Sequence, residues 1–184
     1  MIYLMKKEVP DRNRSVYSQF LYTRCDVATF NIPYFSWRVG EPKPERFDEE
    51  FSEYIEDKMK YLLNDLEPYI LEDYFSNLYF GSERSYMMRI IVLELNDETE
   101  FLVPDGSIYD YGYPEDFEDL CLFSKGKCFL KSVTHEDLCW LYPTYDFEVE
   151  YLKKLGAKLK LLSEEDTDYT IDYHISLDYK KSKG

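Results

Sequence analysis

The chain has 184 residues, 45% of them hydrophobic, and a formal net charge of -15 from 37 acidic and 22 basic side chains. This length and composition are typical of a single globular domain, and no apolar run approaches the length of a membrane span. A negative charge of this size disfavours direct binding to nucleic acids or anionic membranes and favours attraction to basic surfaces. The N-terminus carries its apolar residues ahead of its lysines, the reverse of a secretory signal, so we expect a cytoplasmic protein.

The cysteines and histidines show no spacing that is typical of a catalytic or metal-binding site. The four cysteines contain no CxxC pair, and we expect them to be reduced thiols with structural roles. The two histidines are too few for most zinc-hydrolase schemes, and a lone histidine usually has a structural role. The sequence therefore predicts no catalytic residue, no metal site and no cofactor.

The first forty residues are mildly basic, with six basic side chains against three acidic ones. Residues 2–5 fit a short strand, whereas residues 15–25 are ambiguous between helix and strand. The stretch 27–39 is mostly β-branched and aromatic but contains Pro33, which predicts an edge strand or a bulged strand.

The stretch from Phe47 to Phe80 carries the clearest helical periodicity in the chain. Its first part places six apolar side chains on one side of a 3.6-residue period, namely Phe47, Phe51, Ile55, Met59, Leu62 and Leu66. Pro68 fits the first position of a second helix, and Gly81 fits its end. We expect this stripe to pack on the strand predicted at residues 86–95.

The middle of the chain predicts an antiparallel sheet. The run from Tyr86 to Leu95 is apolar on both faces and is typical of a central strand, with residues 99–103 as its hairpin partner. A further short strand is predicted at residues 107–111. Residues 121–124 and 127–133 flank a Lys-Gly pair that fits a two-residue hairpin turn.

The C-terminal part mixes short helices with strands. A capping pattern predicts a helix from Thr134 to Tyr142, and a second helix at about residues 146–155 is expected to end at Gly156. The last two strands are predicted at residues 157–162 and 169–179.

Together these elements predict one α+β domain over residues 1–184. The predicted sheet is antiparallel, with about five to six strands, and two to four helices pack on one face. Within the domain we distinguish a mildly basic N-terminal segment (1–40), a helical segment (45–80) and a sheet-rich segment (86–179) that includes the helix near 146–155.

The strongest local signal is an uninterrupted acidic segment, residues 94–119. It contains ten carboxylates, and no basic residue lies between Arg89 and Lys125. Acidic side chains interleaved with tyrosines can contact the arginines and lysines of a nucleic-acid-binding groove. The predicted partner-binding residues are Glu94, Glu100, Asp105, Tyr109, Asp110, Tyr111, Tyr113, Glu115, Asp116, Glu118 and Asp119.

Three hypotheses fit this segment. The first is a non-enzymatic inhibitor or immunity-type protein that blocks a basic partner, such as a toxin nuclease or a phage-defence effector. The second is a solvated acidic loop that only protects a sheet edge. The third is a Mg²⁺-dependent hydrolase whose crowded carboxylates include Asp105, Asp110, Glu115 and Glu118. We favour the inhibitor, because an acidic surface repels the polyanionic substrates of nucleases.

Overall fold

The fold is an antiparallel sheet with helices packed against it, and it is described by a computed structural model. The described residues are 1–43, 63–80, 82–100, 107–110, 117–163 and 166. The strands are β1 (Tyr3–Lys7), β2 (Val27–Arg38), β3 (Ile70–Tyr79), β4 (Ser82–Glu94), β5 (Glu118–Ser124), β6 (Lys127–Val133), β7 (Leu138–Leu141) and β8 (Lys158–Leu161).

These eight strands form one sheet in the order β3-β4-β2-β5-β6-β7-β1-β8, and every neighbouring pair is antiparallel. Among the described residues, two α-helices are seen from end to end, α1 (Arg14–Arg24) and α2 (Asp146–Leu155), and residues 63–66 are also helical. The predicted α+β class and antiparallel sheet are confirmed. The sheet has more strands than the five to six that the sequence predicted, because two of them replace predicted helical segments.

The two helices pack on the same face of the sheet. Tyr17 and Leu21 of α1 and Leu152 of α2 are buried in one apolar cluster together with Ala28 of β2 and Leu122 of β5. Because side chains alternate between the faces of a strand, Ala28 and Leu122 mark the face that both helices cover.

The end of the predicted apolar stripe also reaches this face. Residues 63–66 are helical, and Leu66 is fully buried. Leu63 and Leu66 pack against Ile91 and Leu93 of β4, beside Phe30 of β2. This confirms the predicted contact between the stripe and the central strand for its last turn. The earlier part of the stripe, residues 47–62, lies outside the described residues.

The prediction of a second helix after Pro68 is wrong. Pro68 lies in a 3-10 turn (Glu67–Tyr69), and the chain then continues as β3, which pairs with β4. Its apolar spacing is helical, but Tyr74 and Phe75 also favour a strand, and pairing with β4 decides between the two. The segment 45–80 is therefore not helical throughout.

Three other predicted elements differ in the structure. Both edges of β4 are occupied, by β3 and β2, and residues 99 and 100 lie in a turn, whereas residues 101–103 of the predicted hairpin partner lie outside the described residues. Residues 108–110 form a 3-10 turn where a strand was predicted. The helix predicted from Thr134 ends after one 3-10 turn at Glu136, because Asp137 adopts a left-handed conformation (φ 52°) and β7 follows.

Several turn predictions are confirmed. Lys125 and Gly126 both have positive φ and connect β5 to β6 in a two-residue hairpin, the geometry of a type I′ turn. Gly156 has a φ of 105° and ends α2 as expected. The strand predicted at 157–162 corresponds to β8, whereas the strand predicted at 169–179 lies outside the described residues.

β2 changes from an interior strand to an edge strand along its length. Its last pair with β5 joins Asn31 to Glu118, and beyond Asn31 the described residues pair it with β4 alone. Pro33 lies in this second part, where a strand tolerates proline. The register with β4 then shifts between Tyr34 and Arg38. The prediction of a bulged edge strand holds for this half of β2.

The sheet curls so that its β3 end lies over β5 and β6. The hydroxyl of Tyr79 donates to the backbone oxygen of Asp119 at 2.8 Å and lies 3.0 Å from the hydroxyl of Thr29. The ammonium of Lys131 on β6 donates to the backbone oxygen of Phe80 at 2.7 Å. Neighbouring strands lie about 4.8 Å apart, so a flat sheet would separate β3 from β6 by about 19 Å. These contacts therefore require strong curvature.

The four cysteines are free and buried. Burial raises the pKa of each thiol, and it raises the pKa of Cys121 to about 12. Because the thiolate is the reactive form, these side chains act as small apolar groups in the core.

Candidate functional site

The predicted partner-binding residues lie in different environments. Glu100 is exposed, Glu94 and Tyr109 are half-buried, and Glu118 and Asp119 are buried. Asp110 is described by its backbone, which ends a 3-10 turn. The remaining five lie outside the described residues, namely Asp105, Tyr111, Tyr113, Glu115 and Asp116.

The acidic segment is attached to the body of the protein at three buried points. Thr99 is fully buried, and its hydroxyl donates to the backbone oxygen of Glu94 at 2.8 Å. Ile108 is buried, and its N–H donates to the carboxylate of Glu8 at 3.0 Å. Phe117 is buried and stacks on Phe30 with a centroid distance of 3.8 Å. The described part of the segment is therefore anchored at these three positions.

The turn after β4 presents the exposed carboxylates of the segment. Asp97, Glu98 and Glu100 are exposed there within four residues. The hydroxyl of Tyr22 donates to Asp97 at 2.7 Å, and this hydrogen bond raises the pKa of Tyr22 to about 12. These side chains form an acidic turn on the protein surface.

The other end of the segment enters the sheet through a β-bulge at Asp119. Thr29 of β2 pairs with Cys121, but Asn31 pairs with Glu118, so β5 has one extra residue at this point. Asp119 has a φ of 58°, the left-handed conformation that a G1-type bulge usually gives to glycine. Aspartate tolerates this conformation better than most residues.

The bulge changes the direction of two adjacent carboxylates. In a regular strand, Glu118 and Asp119 would point to opposite faces of the sheet. Here ligand atoms from Glu118, Asp119 and His135 all lie within 4.8 Å of one another. We call this group the carboxylate–histidine cluster. It lies where β5 meets the 3-10 turn Thr134–Glu136 that follows β6.

Asp119 is held mainly through one of its two oxygens. Its Oδ1 accepts the N–H of Thr134 at 2.9 Å and the hydroxyl of Thr134 at 3.4 Å. Its Oδ2 has only long contacts, 3.4 Å to Nδ2 of Asn31 and 3.6 Å to Nη2 of Arg84. Because hydrogen bonds weaken beyond about 3.2 Å, Oδ2 is the less satisfied oxygen.

Burial perturbs the acid–base properties of this region. Glu118 is only 8% exposed, and desolvation together with the charge of Asp119 raises its pKa. His135 and Arg84 act in the opposite direction. Burial also lowers the pKa of Lys131, which lies on the neighbouring strand β6. Perturbed groups of this kind gather at functional sites more often than elsewhere.

Asn31 is the most unusual neighbour of the cluster. It is 1% exposed, and its Nδ2 contacts both the carboxylate of Asp119 and the backbone oxygen of Glu118 at 3.4 Å. Its Oδ1 is buried and has no hydrogen-bond partner among the residues that the structure describes. A buried polar atom without a partner is uncommon and suggests that something else occupies its neighbourhood.

The cluster brings together residues that the sequence prediction missed. His135, Asn31 and Arg84 were not predicted as functional, and Glu118 and Asp119 were predicted to contact a partner directly. Because both carboxylates are buried, they are not part of an exposed contact surface, which corrects that prediction. One signal was present in the sequence, since Asn31 lies between Phe30 and Ile32 and is a polar residue in a largely apolar part of its strand.

The cluster is also the group of described residues whose donors fit a metal ion. Its three side chains supply two carboxylates and one imidazole, and these are ligand types that divalent transition metals accept. Within the described residues, the exposed acidic turn does not bring three such ligand atoms together.

No family model, curated protein or solved structure matched the chain significantly in comparisons of sequence and fold. In the described part of the chain, the helices are too short or too polar to cross a bilayer. The function must therefore be argued from the residues of the molecule.

Proposed function

We propose that the protein is a cytoplasmic, non-enzymatic inhibitor or immunity-type binding protein that blocks a basic, nucleic-acid-handling partner. The toxin nucleases and phage-defence effectors that act on nucleic acids carry the basic surface that this acidic protein would contact. The proposed contact region is the acidic segment, residues 94–119, without its buried members Glu118 and Asp119.

The observation that supports this proposal most strongly is the anchoring of the acidic segment. Thr99, Ile108 and Phe117 are all buried, although they lie within the most acidic part of the chain. A loop that served only to keep the protein soluble would not need buried attachment points. Anchoring lowers the conformational entropy that a contact region loses when it binds a partner.

Charge and aromatic residues would have separate roles at this interface. The carboxylates of the acidic turn would accelerate association with a basic surface, and this effect weakens as salt is added. The tyrosines of the segment, of which Tyr109 is half-buried against the core, would contribute most of the contact area and affinity.

The first test is capture of the partner from a lysate of the native host at low salt. Proteins that elute at high salt are identified by mass spectrometry, and we expect a basic nuclease, toxin or other nucleic-acid enzyme among them. The association rate of the purified partner is then measured at several salt concentrations.

A pair of charge-reversed variants makes this test specific. Glu98→Lys with Glu100→Lys reverses two exposed carboxylates of the acidic turn, and we expect slower association with a weaker salt dependence. Asp65→Lys with Glu67→Lys changes the net charge equally at exposed positions outside the segment and is the matched control. Equal effects of the two pairs would show that only net charge matters and would contradict the proposed contact region.

One observation favours a second candidate function, a carboxylate-dependent, metal-activated hydrolase. The carboxylate–histidine cluster groups Glu118 with Asp119 and His135, although the sequence pointed to Asp105, Asp110 and Glu115 as the companions of Glu118. Phosphodiester hydrolysis by the purified protein in the presence of Mn²⁺ or Mg²⁺, lost in His135→Gln, would support the hydrolase over the inhibitor.

A further inference from the structure

The dimensions of the carboxylate–histidine cluster suit a single metal ion. Three ligand atoms that bind one ion with bonds of about 2.1 Å lie about 3.0–3.6 Å from one another on average. The ligand atoms of Glu118, Asp119 and His135 lie within 4.8 Å of one another, so a point exists that is about 2.8 Å or less from all three. An inward movement of about 0.7 Å or less per ligand atom would therefore complete the coordination distances.

We propose that Glu118, Asp119 and His135 bind one divalent metal ion, with Mn²⁺ as the best-fitting ion and the carboxamide oxygen of Asn31 as a fourth ligand. This metal site is separate from the proposed partner-binding region, and the inhibitor function does not depend on it. The hydrolase candidate does require it, because that candidate uses the same cluster.

The β-bulge is the first argument for this site. It places the extra residue of β5 at Asp119, in the left-handed conformation that a G1-type bulge usually gives to glycine. The result is that two adjacent carboxylates approach the same histidine. Without a cation between them, such an arrangement brings like charges together in a buried place.

Asn31 is the second and independent argument. Its side chain is directed at the cluster, since Nδ2 lies 3.4 Å from Oδ2 of Asp119, and within the described part of the chain its Oδ1 has no hydrogen-bond partner. Rotation of the carboxamide by half a turn exchanges the two atoms and directs the oxygen at the carboxylates. That orientation is favourable when a cation lies between the oxygens.

A second buried carboxylate of this protein shows which hydrogen bonds a carboxylate with a structural role accepts. Glu148 is fully buried, its Oε1 accepts Nε of Arg24, and its Oε2 accepts the N–H groups of Thr144 and Tyr145 at 2.7 and 2.9 Å. Asp119 lacks this arrangement, because its Oδ2 has contacts of 3.4 Å or longer. Its incomplete satisfaction leaves an oxygen available to a metal.

Two basic side chains lie near the cluster, and the charge of a bound metal ion would add to theirs. Arg84 is the guanidinium beside Asp119 and lies 3.6 Å from Oδ2, with a side chain that is 21% exposed. Lys131 donates to the backbone oxygen of Phe80. The side chain of His135 is 42% exposed and has Glu136 at 3.7 Å, so an ion can enter from the solvent on this side.

The ligand types favour Mn²⁺ over the alternatives. Carboxylate and carboxamide oxygens suit Mg²⁺, Ca²⁺ and Mn²⁺, whereas imidazole suits transition metals. Mn²⁺ accepts both types, and it is paramagnetic, so its binding can be followed directly. Zn²⁺ and Mg²⁺ serve as comparison ions in the test.

The test is a titration of the metal-free, full-length protein with Mn²⁺ at physiological salt, followed by electron paramagnetic resonance. We expect one bound ion per chain and a nitrogen modulation from the imidazole of His135 in pulsed spectra. His135→Gln should remove this modulation and weaken binding by about tenfold or more. Because His135 is exposed, this variant should still fold.

The second histidine of the chain provides a matched control. His174→Gln removes the same side chain elsewhere, and it should keep both the nitrogen modulation and the affinity of the wild type. Weak binding of many Mn²⁺ ions that is equal in all three proteins would reflect the net charge alone and would overturn the proposal. Nitrogen modulation that persists in His135→Gln would overturn it as well.

A third variant tests Asn31 as a ligand. Asn31→Asp supplies a carboxylate in place of the carboxamide, so it should bind Mn²⁺ more tightly than the wild type. Without metal the same variant should unfold at a lower temperature, because it adds a third buried negative charge. An affinity that does not rise would contradict the assignment of Asn31 as a ligand. Neither readout involves the proposed partner protein, so this site and the proposed function can fail separately.

Discussion

The acidic segment begins and ends in two different physical environments. At its start, Asp97, Glu98 and Glu100 lie on an exposed turn, where water compensates their charges. At its end, Glu118 and Asp119 are buried in the sheet beside His135. The residue types are the same, and the difference comes from the pairing of β5 with β2.

This difference shows that a run of like charges in a sequence need not form one surface. Exposed carboxylates contribute little to stability, and their field reaches about 8–10 Å through physiological salt. Buried carboxylates require partners, and removing either the charge or a partner is costly. The first environment suits recognition of a basic surface, and the second suits a structured site.

The largest expected effect is the loss of stability on removing the carboxylate of Asp119. Asp119→Ala leaves the buried N–H of Thr134 without its acceptor and Arg84 without its nearest carboxylate. We expect a loss of about 3–5 kcal/mol in the free energy of unfolding, measured by urea denaturation of the metal-free protein.

Asp119→Gly separates the charge from the backbone conformation. Glycine adopts a φ of 58° without strain, so this variant should be more stable than Asp119→Ala by about 1 kcal/mol or more. If alanine is tolerated as well as glycine, the bulge does not impose the left-handed conformation on this residue.

The second effect concerns the anchoring of the acidic segment. Ile108→Ala truncates a residue that is buried in the main apolar cluster, and we expect a loss of about 2–5 kcal/mol in unfolding free energy. Val16→Ala removes an exposed aliphatic side chain and should change this value by about 0.5 kcal/mol or less. Similar values for the two variants would mean that the segment is not anchored at Ile108.

The third effect is a pH dependence that originates at Glu118. Burial raises the pKa of this carboxyl above its ordinary value of 4.5, so the folded protein holds this proton more tightly than the unfolded chain does. The contribution of Glu118 to stability is therefore present at acidic pH and is lost as the pH rises through its folded pKa.

Glu118→Gln isolates this contribution. In the presence of a chelator, the unfolding free energy of the variant minus that of the wild type should increase as the pH rises above 4.5. Urea titrations at several pH values measure this difference. A difference that stays constant or decreases with pH would contradict the raised pKa.

The smallest effect on stability is expected at the exposed acidic turn. Glu98→Lys with Glu100→Lys should change the free energy of unfolding by about 0.5 kcal/mol or less, since surface substitutions seldom do more. Thermal denaturation of this variant beside Asp119→Ala gives the contrast between the two environments. A large destabilisation by the lysines would indicate that these carboxylates have structural partners.

The sequence predicted the elements that local chemistry determines. The β5–β6 hairpin follows from the Lys125–Gly126 turn, the end of α2 from Gly156, and β4 from an apolar run of strand length. It failed at β3 and β7, where local spacing favoured helices. Pairing with the adjacent strands β4 and β6 decides these two segments, and β7 also pairs with β1 at the other end of the chain. The spacing of apolar residues within one segment does not show such pairing.

The candidate site was harder to predict than the fold. The acidic residues were recognised, but nothing local shows that Glu118 is buried while Glu98 is exposed. The contact of Asp119 with Asn31 and His135 depends on a bulge between β2 and β5, which are separated in the sequence by β3 and β4. In the sequence, only an asparagine between two apolar residues of β2 indicated it.

The contrast between the exposed and the buried carboxylates of the acidic segment is tested most directly by chemical modification of carboxyl groups in the native protein. A carbodiimide and an amine nucleophile label exposed carboxylates, and peptide mass spectrometry gives the rate at each position. We predict rapid labelling of Glu98 and Glu100, and labelling of Glu118 and Asp119 at comparable rates only after unfolding in urea. Equal rates at all four residues in the folded protein would contradict the account.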